Sequence, residues 1–126
     1  MKLTLFHYSG CSTCRRARKL VETAGGTPVL VDLKDSPPDA QTLRALWLAS
    51  GLPLRKLFNT SGQSYRTGGW KDRLPSISEE DAFAALAADG MLVKRPLLRI
   101  SRADGDVVLV GLRDDEWQKE LRKDVP

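Results

Sequence analysis

Lys2-Leu3-Thr4-Leu5-Phe6-His7-Tyr8-Ser9-Gly10-Cys11-Ser12-Thr13-Cys14-Arg15-Arg16-Ala17-Arg18-Lys19-Leu20-Val21 is the stretch on which the fold turns. Lys2 to His7 is short, alternates in polarity and stops at Ser9-Gly10, the pattern of a strand that runs into a turn. From Ser12 the period changes: Ala17, Leu20, Val21 and Ala24 recur at spacings of three and four, and Gly25-Gly26 follows. That is an amphipathic helix with its stop signal. Pro28-Val29-Leu30-Val31-Asp32 then reads as a buried strand. Strand, helix and strand over about thirty residues form a β-α-β unit, whose connection suits a right-handed crossover to a parallel neighbour.

Working outward, the middle of the chain is helical. Ser36-Pro37-Pro38-Asp39 opens a helix with prolines near its first turn, Leu43, Leu46 and Trp47 form its apolar face, and Gly51 ends it. Short helical pieces at Leu54 to Phe58 and Trp70 to Leu74 flank a polar stretch, residues 59–66, that has neither period and reads as a loop. Ser78 and Asp81 have the spacing of a capping box and open a helix through Asp89, which Gly90 stops. Strands return at Leu97 to Ser101 and Val107 to Val110, around a hairpin turn containing Asp104-Gly105. A last helix, from about Asp114 to Lys123, is acidic in its first turn and basic in its last, as the helix dipole favours. The expected fold class is α/β: β-α-β, a helical insertion, then β-β-α. Residues 1–126 are expected to form one domain, its core at about 1–35 and 91–126 and its insertion at about 36–90.

Composition narrows the function classes. With 126 residues, 41% of them hydrophobic and 29% charged, the chain can bury one core and is unlike disordered or collagenous sequences. No apolar run approaches the roughly 20 residues of a membrane span, and Met1 to His7 is too short for a signal-peptide core. A cytoplasmic protein without membrane contact is expected. The formal net charge of +4 is local: Lys2, Arg15, Arg16, Arg18 and Lys19 face only Glu22 within residues 1–23, and the rest of the chain balances. Direct nucleic-acid binding is not expected, because there is no long basic stripe and only 6% of residues are aromatic. The basic cluster is either a solvated helix face or the rim of an anion-attracting site.

Both cysteines lie in Cys11-Ser12-Thr13-Cys14. Two thiols cannot staple a secreted scaffold, and with only His7 to join them they do not make a four-ligand zinc site within one chain. No metal is expected. A Cys-x-x-Cys after a first strand, at the mouth of a helix in a β-α-β unit, is instead the arrangement of thioredoxin-like redox proteins. Cys11, at or just before the first helical turn, would be held as a thiolate by unpaired backbone N–H groups and the helix dipole, with Arg15, Arg16 and His7 adding positive field. Cys14, one turn deeper, would be the resolving thiol of a disulfide with Cys11. The alternative is a pair of inert buried cysteines. Pro96, after Arg95, would open the strand facing the pair, where thioredoxin-like folds carry a proline that is usually cis; as an isolated feature it is simply a strand-initiating proline.

Taken together, four segments resemble the arsenate reductase (ArsC)/Spx family across nearly the whole chain: His7 to Arg15, Leu57-Phe58-Asn59-Thr60-Ser61-Gly62, Lys94-Arg95-Pro96-Leu97-Leu98 and Gly111-Leu112-Arg113. The resemblance implies a thioredoxin-like frame with a helical insertion. It implies a nucleophilic cysteine at Cys11, a histidine four residues earlier at His7, and arginines that hold an oxyanion. Arg95 and Arg113 match two of these arginines. The third position aligns with Asn59, where Arg55 or Arg66 could substitute only if the loop approaches the site. An anion site would combine Arg95 and Arg113 with the segment Ser12, Thr13 and Arg15 at the helix start.

The resemblance also implies two functional branches. Glutaredoxin-coupled arsenate reductases lack a second cysteine at the position of Cys14, whereas Spx-like regulators have the Cys-x-x-Cys as a redox switch and bind the RNA polymerase α subunit. The family further includes glutathione-dependent thiol reductases, to which the Leu57 to Gly62 segment is nearest. An oxidoreductase is the favoured expectation, acting on a small oxyanion or on a thiol or disulfide substrate. It would hold no bound cofactor and would draw electrons from glutathione or thioredoxin, with glutaredoxin or thioredoxin as protein partners.

Overall fold

Alternation of Leu3 and Leu5 with Lys2 and Thr4 makes Lys2–His7 a strand with one strongly apolar face, β1. A computed structural model describes residues 1–123 of the chain. In it β1 is followed by α1 (Ser12–Thr23), β2 (Val29–Asp32), α2 (Ala40–Ser50), α3 (Gln63–Thr67), α4 (Trp70–Arg73), α5 (Glu79–Ala88), β3 (Leu97–Arg102), β4 (Gly105–Val110) and α6 (Asp114–Arg122). Short 3-10 turns lie at Leu54–Leu57, Leu74–Ser76 and Gly90–Leu92. The sheet has the order β2-β1-β3-β4. β1 is parallel to β2, with Thr4 opposite Val29 and His7 opposite Asp32, and antiparallel to β3, with Lys2 opposite Ser101 and Phe6 opposite Leu97. β3 and β4 form the hairpin, from Leu97 opposite Val110 to Arg102 opposite Gly105.

The chain separates into two compact units, Met1–Asp32 with the chain from Arg95 onward, and Leu33–Lys94. In the first, the sheet face bearing Leu3, Leu5, Leu98, Ile100 and Leu109 packs with Ala17 and Val21 of α1 and with Trp117 and Leu121 of α6. Each helix contributes an i, i+4 pair, the spacing that sets two side chains on one face. Trp117 is fully buried, and its indole N–H donates to the Gly111 carbonyl at 3.0 Å, so the ring's one polar atom is satisfied. Burial of each such side chain contributes about 1.5–3 kcal/mol.

In the second unit α2 and α5 pack together and bury Leu43, Leu46, Ala82, Phe83 and Leu86. Trp47 meets Phe83 at 5.6 Å between centroids, while Arg44 lies over the Phe83 ring and pairs with Glu79 at 3.2 Å. Phe58 and Trp70 form a second aromatic contact at 5.4 Å, with the Arg73 guanidinium 3.9 Å from the Trp70 centroid. Backbone bonds from Asn59 N–H to Leu92 O and from Lys94 N–H to Leu57 O, both 2.8 Å, tie Leu57 to Asn59 against Leu92 to Lys94.

Several local expectations change. β2 is not buried: it pairs only with β1, stands at the sheet edge, and Val29 is 49% exposed. The stretch 59–66 is not all loop, since α3 begins at Gln63. The residues between β3 and β4 are Ala103 and Asp104, and Gly105, at φ +131°, already opens β4. Gly90 does not stop α5 by a left-handed turn; Asp89 is its C-cap, and Gly90 begins a 3-10 turn pressed against the Leu33 backbone. The prolines at 37 and 38 precede the α2 N-cap, Asp39, whose carboxylate accepts from Thr42 N–H at 2.8 Å. Among the described residues no helix is long and apolar enough to cross a membrane.

Candidate active site

Cys11 is the N-cap of α1, in extended conformation at φ −100° and ψ 114°. Its sulfur takes the place that a serine or aspartate oxygen has at most helix starts, accepting from Cys14 N–H at 3.3 Å. The loop before it is closed by a bond from Cys11 N–H to Tyr8 O at 3.0 Å, and the first helical bond, Arg15 N–H to Cys11 O, is 3.2 Å. Cys11 is half-buried and Cys14 is buried, and both are free thiols.

The two thiols are driven apart in acidity. Burial acts to raise Cys11, but it is outweighed by hydrogen bonds from the Cys14 thiol and the Cys14 N–H, by the charge of Arg95, and by the Thr13 N–H, so Cys11 lies below the ordinary thiol value. Cys14 is pushed up to about 12, by burial first and then by its hydrogen bond to Cys11 and that neighbour's charge. The backbone N–H of Tyr8 and the charge of Arg95 act the other way on Cys14 without overcoming this. The pair therefore sets a sulfur of raised acidity beside a thiol that stays protonated at neutral pH and donates to it.

The cation acting on Cys11 is Arg95, not the arginines of α1. Arg15 Nη1 donates to Ser9 O at 2.7 Å, Arg16 pairs with Asp114 at 3.1 Å, and Arg18 pairs with Glu22 at 3.6 Å. Most of the basic cluster thus engages its own surroundings, which answers to the solvated helix face. Arg95 lies over the Tyr8 ring, 5.5 Å from its centroid, and its bond to Pro96 is cis at the entrance to β3.

Ser12 and Thr13 provide the first helical N–H groups. His7 ends β1, half-buried and in register with Asp32. Arg113 is the exposed N-cap of α6, its carbonyl accepting from Trp117 N–H at 2.9 Å; its neighbour Asp114 is the partner of Arg16. In the helical unit, Asn59 N–H is held by Leu92 O, Arg66 Nη1 donates to Ser61 O at 2.9 Å, and Arg55 lines a pocket with Tyr65 and Lys71.

Sequence reasoning missed Tyr8. Its carbonyl anchors Cys11, its N–H reaches the Cys14 sulfur, and its ring lies under Arg95. A Cβ at Gly10 would stand 2.6 Å from that ring, which would have to move. The available signal was an aromatic residue between the strand end and the turn, next to a glycine.

Comparison with known proteins agrees with this fold. Residues 6–120 match the ArsC family model. An uncharacterised protein of Bacillus subtilis strain 168, YusI, is 41% identical over 94% of this chain and 98% of its own length. An arsenate reductase of Rhizobium meliloti strain 1021 is 30% identical over 78% of this chain and 69% of its own. Among solved structures, an ArsC-family-related protein of Bacteroides fragilis superposes with a TM-score of 0.86 at 39% identity, covering 94% of this chain and 97% of that one. A thioredoxin-like sheet, an activated cysteine at the first helix start and this breadth of match lead to one assignment: the chain belongs to the ArsC family.

Proposed function

We propose that the protein is a cytoplasmic thiol-disulfide oxidoreductase of the arsenate reductase-like type, with Cys11 as nucleophile and Cys14 as resolving thiol. The observation that carries this reading is the placement of the Cys11 sulfur at the N-cap of α1, accepting from Cys14 N–H at 3.3 Å with the Cys14 thiol one turn behind it. The opposite directions of the two acidities support it. The Cys11 thiolate attacks one sulfur of a substrate disulfide; a new S–S bond forms, and the other substrate sulfur leaves with the bonding pair and takes a proton from solvent. With the Cys11 charge consumed, two of the influences that keep Cys14 protonated, its hydrogen bond to Cys11 and that neighbour's charge, are gone. Cys14 then loses its proton and attacks the Cys11 sulfur, and the second substrate thiolate departs. The product is a Cys11–Cys14 disulfide and two reduced substrate thiols, and two glutathione thiols or one thioredoxin or glutaredoxin dithiol return the enzyme to its starting state.

Arg95, the helix-start amides of Ser12 and Thr13, and Arg113 serve to hold the anionic group of the substrate, either an oxyanion or the carboxylate of a glutathione adduct. The Rhizobium relative supports arsenate as one acceptor to test. The test is an NADPH-coupled assay with glutathione and glutaredoxin, or with thioredoxin, offered arsenate and then a glutathione mixed disulfide. Turnover lost in Cys11→Ser is the expected result. No turnover with any acceptor, together with capture of RNA polymerase that depends on the redox state of the pair, would replace the enzyme with a Spx-like regulator.

A further inference from the structure

A second concave site lies wholly within the helical unit. Leu54, Leu74 and Ile77, between Pro53 and Pro75, form the apolar wall of a pocket of about 490 Å³, a volume in the range of small-molecule sites. Arg55, Lys71 and Tyr65 complete its lining. The side chains of Arg55 and Lys71 have no hydrogen-bond or ion-pair partner among the described residues, and no acidic side chain lines the pocket. That sets them apart from Arg44, paired with Glu79 in the same unit, and from Arg66, which donates to Ser61 O.

Two unopposed cations and a phenol beside an apolar wall have one chemical complement: a small ligand with a single anionic head and an apolar body. We infer that this pocket binds an amphipathic monoanion, its carboxylate or sulfonate between Arg55 and Lys71 and its hydrocarbon body against Leu54, Leu74 and Ile77. A fully polar anion would leave the apolar wall wet, and a neutral apolar ligand would leave the two charges unused. The chemistry therefore selects a molecule with both features.

Anilinonaphthalene sulfonate is a suitable probe, followed by its fluorescence in the intact, folded protein, with decanoate and decanamide as competitors. Saturable binding is expected, with displacement by decanoate at concentrations about tenfold lower than by decanamide, since the lost charge-assisted bonds correspond to at least one such factor. Arg55→Gln and Lys71→Gln should each weaken the probe by roughly five- to tenfold with an unchanged circular dichroism spectrum. Lys56→Gln, adjacent in sequence and outside the lining, should leave affinity unchanged. Equal displacement by decanoate and decanamide, or unaltered affinity in the double variant Arg55→Gln/Lys71→Gln, would overturn the inference, as would the absence of saturable binding. Tighter competition by an acidic peptide than by decanoate would count against a small ligand and reassign the pocket to a protein partner.

Discussion

At the scale of single residues, the behaviour of Cys11 depends on two neighbouring side chains that can each be removed, those of Cys14 and Arg95. Because its acidity is raised by the Cys14 thiol, the Cys14 N–H and Arg95, its alkylation by iodoacetamide should follow a titration centred below the ordinary thiol value. Cys14→Ala removes the thiol donor and keeps the N–H, and Arg95→Ala removes the charge; each should move that midpoint upward, whereas Arg95→Lys should restore much of the shift. A midpoint that stays put in both Ala variants would mean that the helix terminus alone sets the acidity. Gly90 makes a different kind of prediction. A Cβ there would run into Leu33 O and lie 2.6 Å from its carbonyl carbon, both backbone atoms that cannot rotate away. Gly90→Ala should therefore cost about 3 kcal/mol of stability, read from the urea midpoint. The placement of Cys11 at the start of α1, with Cys14 one turn on, was legible because it depends only on local spacing and on a helix start. Arg95 was legible as the residue before Pro96, but its action on Cys11 from 84 positions away, in place of Arg15 and Arg16, is a product of the fold.

At the scale of elements, the ends of helices were readable where a side chain itself makes the cap. Ser78 accepts from Asp81 N–H, as its spacing predicts, and the acidic start and basic end of α6 follow the dipole, whereas at α2 the prolines set the expected start too early and Asp39 makes the cap. The edge position of β2 was not readable, because an apolar run of four looks the same at an edge as in a sheet centre and only pairing tells them apart. Nor was α3, whose single turn is shorter than the period that would reveal it. The anchorage of α6 supplies a test with a sign. Arg102 reaches from β3 to the Glu120 carboxylate at 3.2 Å and to its backbone carbonyl at 3.1 Å, and Lys123 adds a bond at 2.8 Å. Lys123 first, and Arg102 after it, hold the Glu120 carboxyl below the usual carboxylate range against the opposing effect of burial. A carboxyl lowered in the native state contributes stability above its ordinary range, and that contribution is lost as pH falls through the lowered value. Glu120→Gln should thus cost about 1–2 kcal/mol at neutral pH. The difference from the parent protein should shrink in acid, as measured by thermal melts between pH 7 and pH 3.

At the scale of the whole molecule, the two compact units differ in what they bury. The sheet unit buries residues from five elements around Trp117, while the helical unit relies on the α2 and α5 contact and on short turns joined by a few backbone bonds. Its remaining segments, α3, α4 and three 3-10 turns, are each five residues or shorter and cannot hold helical structure without tertiary contacts. Opening within Leu33–Lys94 should therefore take less free energy than opening of the sheet. Native-state hydrogen exchange is expected to show two levels of protection, the higher on β1, β3 and β4 and the lower on residues 54–76. Phe83→Ala tests the order directly. It removes a ring that contacts Trp47 and lies beneath Arg44, at a cost of about 3–5 kcal/mol, and should lower protection throughout α2 and α5. Protection on β1 and β3 should fall by less. A uniform drop across both units would instead mean that the chain opens only as one cooperative body, and the helical unit would then have no excursions of its own through which ligands or partners could act on it.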